Sequence, residues 1–245
     1  MKRIRLFVAY DGTAYHGWQI QPNAVTIESE LNRAISDLVG CETMVIGASR
    51  TDAGVHSKGN VAVFDSDTKI PAEKIAGAIN ARLPEDIRIV KSDEVDLDWH
   101  PRHKDCRKTY EYRITMGKVQ LPTQRLYSHF TYHDIDIEAM KAACGAFIGE
   151  HDFASLCAAG SQAESTVRTI YALEVENSLN EVVIRVTGNG FLYNMVRIIA
   201  GTLLDVGMGR KKPEDIKAIL ESCDRRKAGP TLPAKGLMLI GYEYN

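Results

Sequence analysis

Residues 44–64 read MVIGASRTDAGVHSKGNVAVF. Two apolar runs, MVIGAS and GNVAVF, bracket a polar seven-residue stretch, RTDAGVH (50–56). The runs predict strands near 42–48 and 59–65, with Arg50 and Asp52 at the tip between them. Upstream, Ile4, Leu6, Val8 and Tyr10 alternate as in a half-buried strand, and a turn-rich loop, DGTAYHGWQIQPN, follows. Thr26 then caps a helix with Glu28 and Glu30 in its first turn and Ile27, Leu31, Ile35 and Leu38 on one face. Downstream, Pro71 opens a second helix carrying Ile75, Ile79 and Leu83, and Asp86 to Val90 reads as a strand. The first hundred residues therefore predict β-α-β-β-α-β, the split ferredoxin-like order.

The rest of the chain repeats that order loosely. CRKTYEYRITM (106–116) predicts a strand and DIEAMKAACGAFIG (136–149) a helix. Residues 167–188 predict a two-stranded hairpin, 191–207 a helix, 213–222 a short helix and 235–244 a closing strand. The expected class is α+β: two ferredoxin-like halves with antiparallel or mixed sheets flanking a central cleft. The polar stretch DLDWHPRHKD (96–105) marks the junction, giving domains 1–100 and 101–245.

The 245 residues are 44% hydrophobic and 25% charged, ordinary for a globular protein with a real core. Five scattered cysteines (Cys41, Cys106, Cys144, Cys157, Cys223) with no CxxC pair argue for reduced thiols in the cytoplasm. The apolar run near the N-terminus is too short for a signal peptide, and none approaches membrane-spanning length. A net charge of −2 excludes a protein that coats nucleic acid by bulk charge. The charge is segregated, however. Arg102, Lys104, Arg107, Lys108, Arg113, Lys118 and Arg125 face only Asp105 and Glu111 over 102–125, whereas 85–98 is acidic.

Asp52 is the leading candidate for chemistry. An aspartate in a glycine-containing turn ordinarily caps nearby amides. A turn also reaches into a cleft more readily than a core element does, and Arg50 nearby favours the ionised carboxylate, a nucleophile or general base. His100, His103, Cys106 and Asp98 lie close in sequence, but their spacing and the surrounding charges suit an extended linker better than a zinc site. No dinucleotide fingerprint or P-loop is present. Lys108, Tyr110, Tyr112 and Ile114 share a strand face, with Tyr110 near the end that meets solvent or a ligand. On the helix from Phe191, Met195, Ile199, Leu203 and Val206 form the buried stripe. Arg197 lies on a second face with Tyr193, Ala200 and Leu204, so the helix is expected between two partners, with Arg197 facing a carboxylate or phosphate.

These stretches resemble, in order, the motifs of the tRNA pseudouridine synthase A family. ASRTDAGVHS is similar to its signature, YDGTAYHGWQ to its N-terminal motif and KTYEY to its central tyrosine strand. TVRTI, GNGFLYNMVRIIAGTLLDVG and GPTLPAKGLMLIGYEY resemble its later blocks. Ser49 stands where the family usually has glycine, and Ser57 and Leu232 where alanine is common. The resemblance implies isomerisation of uridine to pseudouridine at positions 38, 39 and 40 of the tRNA anticodon stem-loop. It implies a homodimer with a basic cleft for RNA and no metal or organic cofactor. Carried over by residue, Asp52 is the catalytic aspartate and Tyr110 the stacking tyrosine. Arg50 and Arg197 line the site, and Leu237 packs beside it. Arg210, Lys211 and Lys212 join the 102–125 segment as candidate phosphate contacts. The rivals are a non-catalytic RNA-binding module, which lacks the clustered-aromatic pattern of RNA-recognition motifs, a metal-dependent hydrolase and a purely structural protein.

Overall fold

The computed structural model describes residues 1–244. The chain forms two compact units. The first comprises Met1–Cys106 and the strand that follows Leu237, and the second Arg107–Leu237.

The first unit runs β1 (Lys2–Tyr10), α1 (Ile27–Val39), β2 (Ile46–Gly47), β3 (His56–Ser66), α2 (Ala72–Asn80) and β4 (Ile87–Val95). β1 pairs antiparallel with both β3 and β4, and β2 pairs with β3, giving the order β4-β1-β3-β2. This is the expected β-α-β-β-α-β unit. One face of the sheet supplies Ile4, Leu6, Val8 and Phe64, which pack with Ile27, Leu31 and Ile35 of α1 and Ile75 and Ile79 of α2. At the start of α1, Thr26 accepts from the Ser29 amide while the Ser29 hydroxyl accepts from the Thr26 amide, a reciprocal cap. Arg3 grips Asp65 with two hydrogen bonds across the β1–β3 ladder. Arg5 grips Asp93 in the same way across β1–β4. Both pairs are partly buried bidentate contacts on the opposite face.

The segment expected as a strand at 42–48 pairs with β3 only at Ile46 and Gly47. Side chains of α1 take its earlier amides: Thr43 N–H donates to Ser36 Oγ and Val45 N–H to Asn32 Oδ1. β3 starts at His56 rather than Gly59 because Ser57 already pairs with Tyr10.

The second unit holds β5 (Cys106–Met116), β6 (His129–Thr131), α3 (Ile137–Cys144), β7 (Gly149–Asp152), β8 (Val167–Ser178), β9 (Glu181–Gly188), α4 (Met195–Gly207) and α5 (Asp215–Glu221). Its sheet runs β5-β9-β8-β7, all antiparallel, with β6 parallel to β5. α3 is shorter than expected: a 3-10 turn follows it, and Gly149 at φ 106° turns the chain into β7. Glu111 is only 5% exposed and bonds both Arg113 and Arg185. Burial opposes its charge, yet the two arginines prevail and hold its carboxyl below the ordinary value.

The last strand, β10 (Leu237–Tyr244), pairs in parallel with β3, Met238 opposite His56 and Leu239 opposite Ser57. The expected division at residue 100 grouped this strand with the second half; its pairing places it in the first unit. Every residue of α4 except Arg197 is buried, as expected of a helix covered on more than one face.

Glycines test this packing in both directions. A Cβ at Gly201 in α4 would lie 1.9 Å from the Pro230 carbonyl oxygen, whereas one at Gly77 in α2 would meet nothing within 4 Å. Gly201→Ala is expected to destabilise the protein by at least about 2 kcal/mol. Gly77→Ala should stabilise it by roughly 0.5–1 kcal/mol through helix propensity. Urea unfolding of the two variants checks both signs.

Candidate active site

RTDAGVH connects β2 to β3, and several backbone groups on either side of Asp52 are held. Ala48 N–H donates to the Val61 carbonyl at 2.7 Å. At Ser49 the strand ladder is replaced by a side chain. The Asn60 carboxamide, fully buried, accepts from Ser49 N–H at 3.3 Å and donates to the Ser49 carbonyl at 3.0 Å. Thr51 Oγ1 lies 2.7 Å from the Tyr10 hydroxyl, and the Thr51 carbonyl accepts from Trp18 N–H at 3.0 Å. Val55 N–H then donates to the Asp52 carbonyl at 3.1 Å, closing a turn. Gly54 takes the positive φ of 77° that a type II turn requires at its third residue. The turn leaves Arg50 exposed and Asp52 half-buried.

The loop at residues 11–25 backs this turn. A Cβ at Gly12 would sit 2.0 Å from the Val55 carbonyl oxygen, and one at Gly17, where φ is 89°, would sit 2.6 Å from the Thr51 carbonyl oxygen. The two loops therefore meet backbone to backbone, which only glycine permits. Gly54 N–H donates to the Tyr15 carbonyl, and the Tyr15 hydroxyl donates to Asp86 at 2.6 Å. Burial first, then the Asp86 carboxylate, push that phenol well above its ordinary pKa, so it stays protonated as the donor. The Trp18 ring fills the space where Gly47 has no side chain. Arg102, from the junction segment, donates to the Gly47 carbonyl at 2.7 Å. Burial and the neighbouring Arg50 charge both lower its pKa. His100 and His103 stack on each other, with ring centroids 3.9 Å apart. The described residues contain no group of three or more His, Cys, Asp or Glu side chains arranged to hold a metal ion.

The second unit carries Tyr110, Arg197 and Leu237. Tyr110 and Tyr112 share the inner face of β5. Tyr110 is 8% exposed and meets Phe191 edge-on at 5.3 Å. Tyr112 is fully buried, and its hydroxyl donates to the Pro233 carbonyl at 2.7 Å. The expected helix start at Phe191 moves to Met195 because Asn194 adopts a left-handed conformation, φ 60°. Tyr193, expected on the second face of that helix, is 46% exposed and precedes it. The bend at Asn194 serves Arg197: its Nη1 donates to Asn194 Oδ1 at 2.6 Å and its Nε to the Leu232 carbonyl at 2.7 Å. Leu232 acts there through its backbone, and its side chain is buried. Residues 229–236 form a strap tied to α4, with Gly229 N–H donating to Thr202 Oγ1 and Leu232 N–H to the Arg197 carbonyl. The strap ends at Leu237, which is buried. Tyr112, Arg197 and the strap thus form one assembly, while Asp52 and Arg50 belong to the first unit. Among the candidate basic residues, Arg113 is tied to Glu111 and Glu181 and Arg210 to Asp205, whereas Lys118, Arg125 and Lys212 are exposed.

Sequence reasoning assigned no role to Asn60, Tyr10, Tyr242, Gly12, Gly17 or Asn194, all of which hold or bound these two groups. The motif YDGTAYHGWQ contained three of them, but their partners lie more than thirty residues away and leave no local signal.

A family model described as tRNA pseudouridine synthase matches residues 6–104 and 143–245. The tRNA pseudouridine synthase A of Thermoanaerobacter sp. (strain X514) is 48% identical over 244 residues, covering 100% of both chains. The enzyme of the same name from Ruminiclostridium cellulolyticum is 47% identical over 245 residues, again covering 100% of both. That from Clostridium kluyveri is 48% identical and covers 98% of each.

Asn194 combines a strained backbone with an acceptor for a charged donor. Asn194→Ala should destabilise by about 2–3 kcal/mol, adding left-handed strain to a lost charge-assisted hydrogen bond. Asn194→Asp, which keeps the acceptor, should cost clearly less. Equal losses in urea unfolding would show that the Arg197 contact contributes nothing.

Proposed function

Because the chain belongs to the tRNA pseudouridine synthase family, we propose that Asp52 is the carboxylate with which this isomerase converts uridine to pseudouridine in tRNA, at positions 38, 39 and 40 of the anticodon stem-loop. The observation that carries the assignment is the turn itself: a half-buried aspartate on a loop whose flanking backbone is clamped from three directions. Preorganisation of this kind suits a group that must meet a reacting carbon in one geometry.

The reaction breaks the N1–C1′ bond, turns the uracil and joins C5 to C1′; the C5 hydrogen leaves as a proton and N1 takes one up. Substrate and product are isomers, so neither a redox partner nor a group donor is required. An ionised Asp52 can attack C1′, add to C6, or remove the C2′ proton to give a glycal. All three begin from the same charged carboxylate, shielded from competing water. Arg50 and Arg197 supply positive charge for it or for the substrate phosphate. Tyr110 stacks on the base, holding the ring without fixing its rotation, and Leu237 packs beside it. The first unit provides the catalytic loop and the second the groups that hold RNA. A stem uridine must first leave its stack, and contacts from exposed Lys118, Arg125 and Lys212 to backbone phosphates offset that cost. The working state on this view is a cytoplasmic homodimer, which sedimentation at micromolar concentration tests.

Unmodified tRNA labelled with tritium at uridine C5 reports the chemistry directly. Wild-type protein should release tritium in the presence of chelator, and Asp52→Asn should release none while binding tRNA as tightly as wild type. Near-normal release by Asp52→Asn would remove the aspartate from the mechanism. Absence of release by the wild type would favour the RNA-binding module. Tyr110→Phe should bind tRNA normally because its ring survives. Tyr110→Ala should weaken binding by roughly 1–3 kcal/mol, the range for a lost base stack.

A further inference from the structure

Ser49 replaces the glycine usual in the family resembled here, and its hydroxyl is buried rather than idle. It hydrogen-bonds the hydroxyl of Tyr242 on β10. The Tyr242 hydroxyl oxygen also lies 3.2 Å from Asn60 Oδ1. Asn60 in turn clamps both peptide groups of Ser49, and its Nδ2 lies 3.4 Å from the Tyr10 hydroxyl, which holds Thr51. A continuous run of side-chain hydrogen bonds thus leads from β10 to the residues on either side of Arg50, ending one residue before Asp52. Tyr242 is itself placed by stiff neighbours. Its ring stacks on Tyr244 at 5.6 Å and 9°, and Tyr244 meets the edge of Trp99 and donates to the Pro101 carbonyl.

A tyrosine needed only to fill space here would function as phenylalanine. Instead its oxygen meets two polar groups beside the loop, and losing it removes one partner from each. We propose that Ser49 and Tyr242 are a positioning pair: their hydroxyls set the path of residues 49–51 and hence the aim of the Asp52 carboxylate. The pair touches neither substrate nor reacting atoms. Its effect belongs on the chemical step and not on tRNA affinity, and it rests on the assignment of Asp52 as the reacting group.

The test is single-turnover tritium release with saturating enzyme, alongside tRNA dissociation constants. It uses Tyr242→Phe, Ser49→Ala, the double variant and Asp52→Asn, each at a temperature where circular dichroism shows it folded. Tyr242→Phe and Ser49→Ala should each slow release by about 10- to 100-fold, the scale expected from a sub-ångström to 1 Å displacement of a reacting group. Dissociation constants should stay within about twofold of wild type, and the double variant should be no slower than the slower single one, since both remove the same contact. Wild-type rates in both single variants, multiplicative losses in the double, or losses that follow tRNA affinity would overturn the pairing. Ser49→Ala deletes one oxygen, so it decides the matter if Tyr242→Phe does not fold. An active Asp52→Asn would defeat the parent assignment. An inactive Asp52→Asn beside a normal Tyr242→Phe would defeat only the positioning pair.

Discussion

At Gly12 and Gly17 the first loop lies so close to residues 51–55 that neither position has room for a single additional carbon. That backbone-to-backbone contact is the constraint from which the rest of the first unit follows. It needs β1 to end where β3 begins, which the antiparallel register from Lys2–Ser66 to Tyr10–Ser57 achieves. It needs α1 to start immediately after the loop, where the reciprocal Thr26–Ser29 cap terminates irregular backbone within one turn. With the loop held from behind, the turn leaves Arg50 exposed and Asp52 half-buried.

The second unit solves a similar problem with the same device. Gly201 and Gly229 allow α4 and the strap at 229–236 to meet without side chains between them. The contact is direct enough for the strap to hold Arg197 through main-chain atoms. In each unit polar atoms fix the main chain or side chain at an expected site residue: Asn60 beside Arg50 in the first, Asn194 and the Leu232 carbonyl at Arg197 in the second. Buried hydrogen bonds of this kind contribute modest net stability but penalise any displaced geometry heavily.

Much of this was legible in the amino-acid pattern. Alternation at Ile4, Leu6, Val8 and Tyr10, the helix face Ile27–Leu31–Ile35 and the apolar surface of α4 each reflect short-range periodicity, and each element formed, though α4 starts four residues later than its pattern. The failures were non-local. Nothing near residues 42–48 reveals that Ser36 and Asn32 claim the amides that a neighbouring strand would otherwise take. A helix-compatible run from Phe191 hides the left-handed turn at Asn194, whose cost is offset by an arginine three residues on. Asp52, Arg50, Tyr110 and Arg197 stood out as candidates from their turn, strand and helix-face positions, whereas Leu237 entered only through the resemblance of ordered motifs to a family. Their supports, Asn60 and Tyr242 above all, look like ordinary strand residues until the register brings them to the loop.

β10 adds a temporal dimension. Tyr242 and Ser49 are 193 residues apart, and residues 107–237 are synthesised between the two parts of the first unit. At roughly 5–20 residues per second, the first unit's closing strand trails its other strands by on the order of ten seconds. Throughout that interval the margin of β3 at His56–Ser57 lacks its parallel neighbour, an unpaired strand edge of the type that nascent chains must keep from one another. A polypeptide interrupted after His56 but before Tyr242 carries RTDAGVH but not the hydroxyl that meets Ser49. On the positioning role proposed for Ser49 and Tyr242, the finished geometry of the turn waits on translation having run through both units.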